Sequence, residues 1–169
     1  MNHTPINLVI AINRLYVKYA YVMLYSFLCH HPEPVSVYIL HHELTPEDEA
    51  TLQTLSQQFA VHISLVYVPD SLLPPPEVLK TSSWGIEAYF RLAITDLLPA
   101  SVDRALYLDT DIIVNAPVYD LYELDFGSKL IAACKEFTCH PPFGNYRDEL
   151  FAPLLDHGIS YYNSGMNLY

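Results

Sequence analysis

Only five of the 169 residues are glycine, and none falls in a G-x-G-x-x-G or G-x-x-x-x-G-K pattern. A glycine-rich backbone loop that cradles a diphosphate is therefore not expected here. Cations are also scarce: 8 Lys+Arg against 19 Asp+Glu give a net charge of −11. That balance argues against nucleic acid as a partner, because phosphate backbones are bound through basic patches. The three cysteines, Cys29, Cys134 and Cys139, are too few and too scattered for a disulfide framework. Cys134 and Cys139 with His140 lack the second ligand pair that would make a metal site, so reduced, structural thiols in a cytoplasmic protein are expected. No apolar run approaches the roughly 18 residues of a membrane span. The N-terminus, Met1-Asn-His-Thr-Pro, has no cationic lead into an apolar stretch and reads as no signal peptide.

What is present is apolar: 51% hydrophobic residues against 16% charged, enough for the core of one domain. Ile6 to Ile12, interrupted only by Asn7, reads as a buried strand, and Tyr16 to Cys29 as a buried helix ended by His31-Pro32. Val35 to Leu40 reads as a second strand. Thr45-Pro46-Glu47-Asp48 carries helix-start chemistry, and Leu52, Leu55 and Phe59 fall on one helical face. Val61 to Val68 is a third strand, Pro69 to Pro76 a loop, and Ile86 to Leu98 a helix stopped by Pro99. A fourth strand follows at Ala105 to Leu108, then the apolar run Ile112 to Val114, then a short turn or helix after Pro117. Leu130 to Cys134 reads as a strand, Gly144 to Gly158 as a weak helix, and Tyr161 onwards as a strand. Alternating strands and helices imply an α/β fold with a mainly parallel sheet flanked by helices. A sheet ending at Tyr169 would present an open edge for association. His41 and His42 read as exposed strand-end histidines, and most of the 14 tyrosines as packing residues.

The segment Leu106-Tyr-Leu-Asp-Thr-Asp-Ile-Ile-Val114 concentrates the chemistry. Asp109 and Asp111 end a buried strand, and placing two acids beside a core is costly without a cation to balance them. A divalent ion carrying a phosphate meets that need, and hard carboxylate oxygens suit manganese or magnesium. In parallel sheets ligands bind beyond the C-terminal strand ends, where Asp109 and Asp111 stand with Ile12-Asn13-Arg14 at the end of the first strand. The plainer readings are that the two aspartates make local turn bonds and that Arg91 is a surface salt-bridge partner. Aspartate-nucleophile phosphatases also place D-x-D after a strand, but on their first strand and with a later lysine and acidic pair that this chain lacks.

Four pieces in order, Val9-Ile-Ala-Ile-Asn-Arg-Leu-Tyr16 with Ser26 and His31-Pro32, Ala88-Tyr-Phe-Arg-Leu92, the Asp109/Asp111 segment, and Tyr161-Tyr-Asn-Ser-Gly165, resemble glycosyltransferase family eight. These are the retaining, glycogenin-related bacterial galactosyl- and glucosyltransferases. The resemblance covers nearly the whole chain and implies a GT-A, Rossmann-like nucleotide-diphospho-sugar transferase fold. It implies transfer of a hexose, galactose or glucose, from a UDP-sugar to a saccharide, glycolipid or lipopolysaccharide-type acceptor, with Mn2+ or Mg2+ as cofactor. By the same resemblance Asp109 and Asp111 are the metal ligands. Ala11, Asn13 and Tyr16 form the uracil pocket, Arg91 and Asp109 contact the donor, and Asn163 lies near the transferred sugar. Asn13 stands where the family usually has Asp, and Arg14 where it often has a second acid. The H-x-x-G-x-x-K-P-W context that supplies a third metal ligand is absent. Residues 1–169 are therefore expected to form a single donor-binding domain whose C-terminal part is missing. The catalytic residues, most of the acceptor site and any peripheral membrane contact are expected downstream of Tyr169. A nucleotide-binding remnant without turnover is the alternative.

Overall fold

The strand at Ile6–Ala11 (β1) is apolar on both faces, and that decides where it lies. A strand buried on both sides belongs in the middle of a parallel sheet covered by helices. In the computed structural model, which describes residues 4–75, 77, 79, 85–135, 157 and 162–169, β1 is hydrogen-bonded in parallel to two neighbours. One is Val35–His41 (β2), in register from Ile6 opposite Val35 to Ala11 opposite Leu40. The other is Leu106–Leu108 (β4), with Leu8 opposite Leu106. His62–Tyr67 (β3) continues the parallel set beyond β2. Tyr162–Leu168 (β6) runs antiparallel between β4 and Ala132–Lys135 (β5). In the order β3-β2-β1-β4-β6-β5 the chain moves outward from β1 to β3 on one side, then crosses to β4 on the other side, where β6 is inserted between β4 and β5. The direction of growth reverses between β1 and β4, where open α/β sheets form ligand crevices.

Helix α1 (Val17–Cys29) buries Ala20, Met23, Leu24, Phe27 and Leu28, at the spacing that keeps one helical face turned to the core. They pack with Leu8, Ile10 and Leu106 and with Leu52 and Leu55 of α2 (Pro46–Phe59). Helix α2 begins in a reciprocal capping box: the Asp48 amide donates to Thr45 Oγ1 at 3.3 Å, and the Thr45 amide donates to Asp48 Oδ2 at 2.9 Å. The opposite sheet face, with Val9, Leu40 and Tyr107, is covered by Phe90 and Ile94.

Several elements differ from the sequence reading. The expected helix from Ile86 to Leu98 is a 3-10 helix over Ile86–Ala93 followed by one α-turn, Ile94–Leu97 (α3). With three residues per turn, i and i+3 superpose; Phe90 and Ala93 enter the core together, while Gly85, Ala88 and Arg91 face one cleft. Ile112 to Val114 pairs with no strand; instead the Val114 amide donates to Ser26 Oγ of α1 at 3.0 Å, before Tyr119–Tyr122 (α4). Among the described residues the sheet edges are β3 and β5, so the final strand lies inside the sheet and Tyr169 exposes no edge. His41 is buried, because β2 is flanked by β1 and β3, and its Nδ1 has no partner among the described residues. The readings placed on Cys139, His140, Tyr161 and Gly144 to Gly158 lie outside the described residues, apart from His157.

Candidate nucleotide-sugar site

The chain leaves β1 at Ala11 and turns at once. Asn13 is extended, with φ −108° and ψ −178°, and its side-chain oxygen accepts from the Leu15 amide at 3.0 Å, capping the 3-10 turn Arg14–Tyr16. This cap holds Tyr16 at the mouth of the sheet, 47% exposed, its ring 5.5 Å from that of Tyr19. Arg14 ties the same turn to α2 through Nε to Asp48 Oδ2 at 3.0 Å.

The second wall comes from the end of β4. Tyr107 is buried, with its hydroxyl donating to Asp109 Oδ1 at 2.9 Å. Burial first, and the Asp109 carboxylate behind it, push the Tyr107 pKa far above that of an exposed tyrosine, so the hydroxyl stays a donor. Arg91 donates from Nη2 to the same Oδ1 at 2.9 Å, from Nε to the Ala88 carbonyl at 2.9 Å, and from Nη1 to the Ser164 carbonyl. Its guanidinium lies 4.4 Å from the centroid of the Tyr107 ring. Three directed donor contacts and an aromatic face leave this arginine one orientation. It is not the surface salt-bridge partner of the plainer reading.

Asp109 is also held by its backbone, whose amide donates to the Gly165 carbonyl of β6 at 2.7 Å. Asp109 Oδ2 stands 2.6 Å from where a Cβ on Gly165 would be, and Asn163 Oδ1 stands 3.0 Å from the same point. Gly165 therefore serves close approach, not backbone freedom. Asn163 Oδ1 in turn accepts from the Gly165 amide at 2.7 Å.

Ala11, Asn13, Tyr16, Arg91, Asp109 and Asp111 line one cleft of about 260 Å³ between the β1 and β4 ends. Whole small-molecule ligands occupy roughly 300–1,000 Å³, so the cleft suits part of a larger ligand. Asn163 adjoins it across Gly165. Sequence reasoning singled out neither Tyr107 nor Gly85, Glu87 and Thr110, which also line the cleft. The signal for Tyr107 was its place two residues before Asp109, on the same strand face.

A dication fits this donor set. Both hydrogen bonds from Arg91 and Tyr107 fall on Asp109 Oδ1, leaving Oδ2 open, and the exposed Asp111 carboxylate has no partner among the described residues. Two hard oxygen ligands completed by substrate phosphates are the usual magnesium or manganese arrangement. No third histidine, cysteine or acid joins them among the described residues.

The family model for glycosyl transferase family 8 matches residues 7–169. A Haemophilus influenzae protein described as a glycosyltransferase is 23% identical over 164 residues, which are 96% of this chain and 47% of that protein. A galacturonosyltransferase-like protein 3 of Arabidopsis thaliana is 25% identical over 177 residues, 97% of this chain and 50% of its own. The chain thus spans about half the length of these curated relatives. Among solved structures, galactosyltransferase LgtC with donor and acceptor sugar analogues superposes with a TM-score of 0.77 at 20% identity, over 96% of this chain and 57% of that one. The bifunctional glycosyltransferase WbbM gives a TM-score of 0.74 at 17% identity, over 100% of this chain and 32% of that one. These likenesses show a GT-A fold.

Proposed function

The chain belongs to glycosyl transferase family 8, and on that premise we propose that it is the donor-binding part of a metal-dependent, retaining hexosyltransferase. In this reading it takes galactose or glucose from a UDP-sugar and passes it to a saccharide or lipopolysaccharide-type acceptor. The observation that carries the reading is convergence. Asn13 and Tyr16 from the end of β1, Arg91 from the 3-10 segment, and Asp109 and Asp111 from the end of β4 meet in one cleft at the topological switch point.

Each residue has a task that its surroundings support. Tyr16 offers an exposed ring for a flat base, and Asn13 offers an amide beside it. Asp109 Oδ2 and Asp111 would hold the dication, which as a Lewis acid would offset the charge growing on the departing diphosphate. Arg91 and Tyr107 keep Asp109 Oδ1 occupied, so the carboxylate cannot rotate away from its task. Arg91 also brings positive charge to a protein of net charge −11, which would otherwise repel a diphosphate. Asn163 is anchored against Gly165, beyond Asp109, on the side where the resemblance puts the sugar.

Calorimetric titration of UDP in the presence of Mn2+ tests the reading. The parent chain takes up UDP only with the metal, and Asp109→Ala and Asp111→Ala each abolish that uptake. Equal UDP binding by both variants would show the site assignment to be wrong. A second reading, nucleotide binding without turnover, is favoured by the donor set of two carboxylates found among the described residues. Release of UDP from UDP-glucose or UDP-galactose by this chain would remove it.

A further inference from the structure

We infer that Glu87 reads the base, supplying the hydrogen-bond acceptor that the Asn13 side chain does not present; this rests on the reading of the cleft as a uridine-nucleotide site. The Asn13 amide oxygen faces the Leu15 amide at 3.0 Å. The other end of that amide, Nδ2, points toward Gly85 and lies 3.9 Å from where a Cβ there would stand. Asn13 therefore shows the cleft a donor.

Glu87 occupies the other side of the same spot. Its Oε2 lies directly against the position a Gly85 side chain would take, and its Cδ is 3.3 Å from that point. Both residues line the cleft with Tyr16. Glu87 is partly buried, and no described residue donates a hydrogen bond to it. A half-buried carboxylate without a donor is costly unless a ligand brings one. Gly85 supports the same conclusion. Its φ is −63°, a backbone that any residue adopts, so what matters there is the missing side chain, which leaves room for the Glu87 carboxylate.

A donor from Asn13 beside an acceptor from Glu87 complements the imide edge of uracil, where N3–H adjoins a ring carbonyl. Asn13 Nδ2 donates to the carbonyl and Glu87 accepts from N3–H, with Tyr16 flanking the ring. An aspartate at position 13 would supply the acceptor directly. Here the acid stands at position 87, and position 13 keeps the cap.

Three ligands titrated with Mn2+ into the full chain test the assignment: UDP, N3-methyl-UDP and inorganic pyrophosphate. Glu87→Ala lowers UDP affinity about tenfold, the scale of one hydrogen bond to a charged group, and leaves pyrophosphate binding unchanged. N3-methyl-UDP binds the parent about tenfold more weakly than UDP, and Glu87→Ala makes no such distinction. Gly85→Ala, which displaces the carboxylate without straining the backbone, reproduces the Glu87→Ala result. A parent that binds UDP, with both variants binding it equally well, overturns the role of Glu87 alone. A parent that takes up no UDP overturns the underlying nucleotide reading.

Discussion

Replacing Gly165 with alanine tests how the Asp109 carboxylate is held. The new methyl carbon would stand 2.6 Å from Asp109 Oδ2, 3.2 Å from its Cγ and 3.0 Å from Asn163 Oδ1. Atoms in that relation cannot coexist, and there are two ways out. The carboxylate turns, breaking one or both of the 2.9 Å hydrogen bonds from Arg91 and Tyr107. Otherwise β6 retreats, stretching the 2.7 Å bond from the Asp109 amide to the Gly165 carbonyl. Either route costs about 1–3 kcal/mol, the size of a lost bond to a charged group or of an overpacked site. For a chain of this length that is roughly 2–12 °C in Tm. Turning of the carboxylate also moves Oδ2, the oxygen proposed to hold the metal, so along that route manganese-dependent UDP affinity falls about tenfold or more. Differential scanning calorimetry and UDP titration in Mn2+ read the two effects on one sample. A Gly165→Ala chain with the parent's Tm and the parent's UDP affinity would refute the close packing of β6 on Asp109.

Tyr107→Phe keeps the buried ring under the Arg91 guanidinium and removes one of the two donors to Asp109 Oδ1; metal-linked UDP affinity is expected to drop between about threefold and tenfold, and an unchanged isotherm would deny the hydroxyl any part in positioning. His31 lies buried between α1 and the segment before α4, its Nδ1 donating to the Phe27 carbonyl at 2.6 Å and its Nε2 accepting from the Val118 amide at 2.9 Å. Burial holds its pKa below the ordinary 6.5, so the folded chain prefers neutral His31 while the unfolded chain takes up a proton near 6.5. This contribution is complete above pH 6.5 and is lost as pH falls from there through the depressed value, at no more than about 1.4 kcal/mol per pH unit. Urea unfolding from pH 7.5 to 5 should show a flatter pH dependence in His31→Gln than in the parent, and parallel curves would exclude His31 as the source.

The family's short pieces were legible because each combines chemistry with a local cue: a buried run, then Asn13 at a turn, or a buried run, then Asp109 and Asp111. A nearly continuous apolar run was enough for β1, a long apolar stretch free of glycine and proline was enough for α1, and Thr45-Pro46 with Asp48 was enough for the start of α2. Such features depend on neighbours within a few residues, where propensity and spacing act. The 3-10 winding of Ile86–Ala93 was not legible, because helical sequence is compatible with either period and only packing of Phe90 and Ala93 against the sheet selects the tighter one. The interior place of β6 was also hidden, since pairing partners more than fifty residues apart leave no local mark.

The sequence by itself determined that paired aspartates end a buried strand, that the chain is acidic and poor in glycine, and which family those segments match. Tertiary structure alone decided which atoms remain free to act. Arg91 and Tyr107 converge on one oxygen of Asp109, Gly165 makes room for the other, and Gly85 lets Glu87 approach Asn13. Hydrogen bonds and close contacts depend on distances of a few tenths of an ångström between remote segments, and only the folded sheet sets those distances.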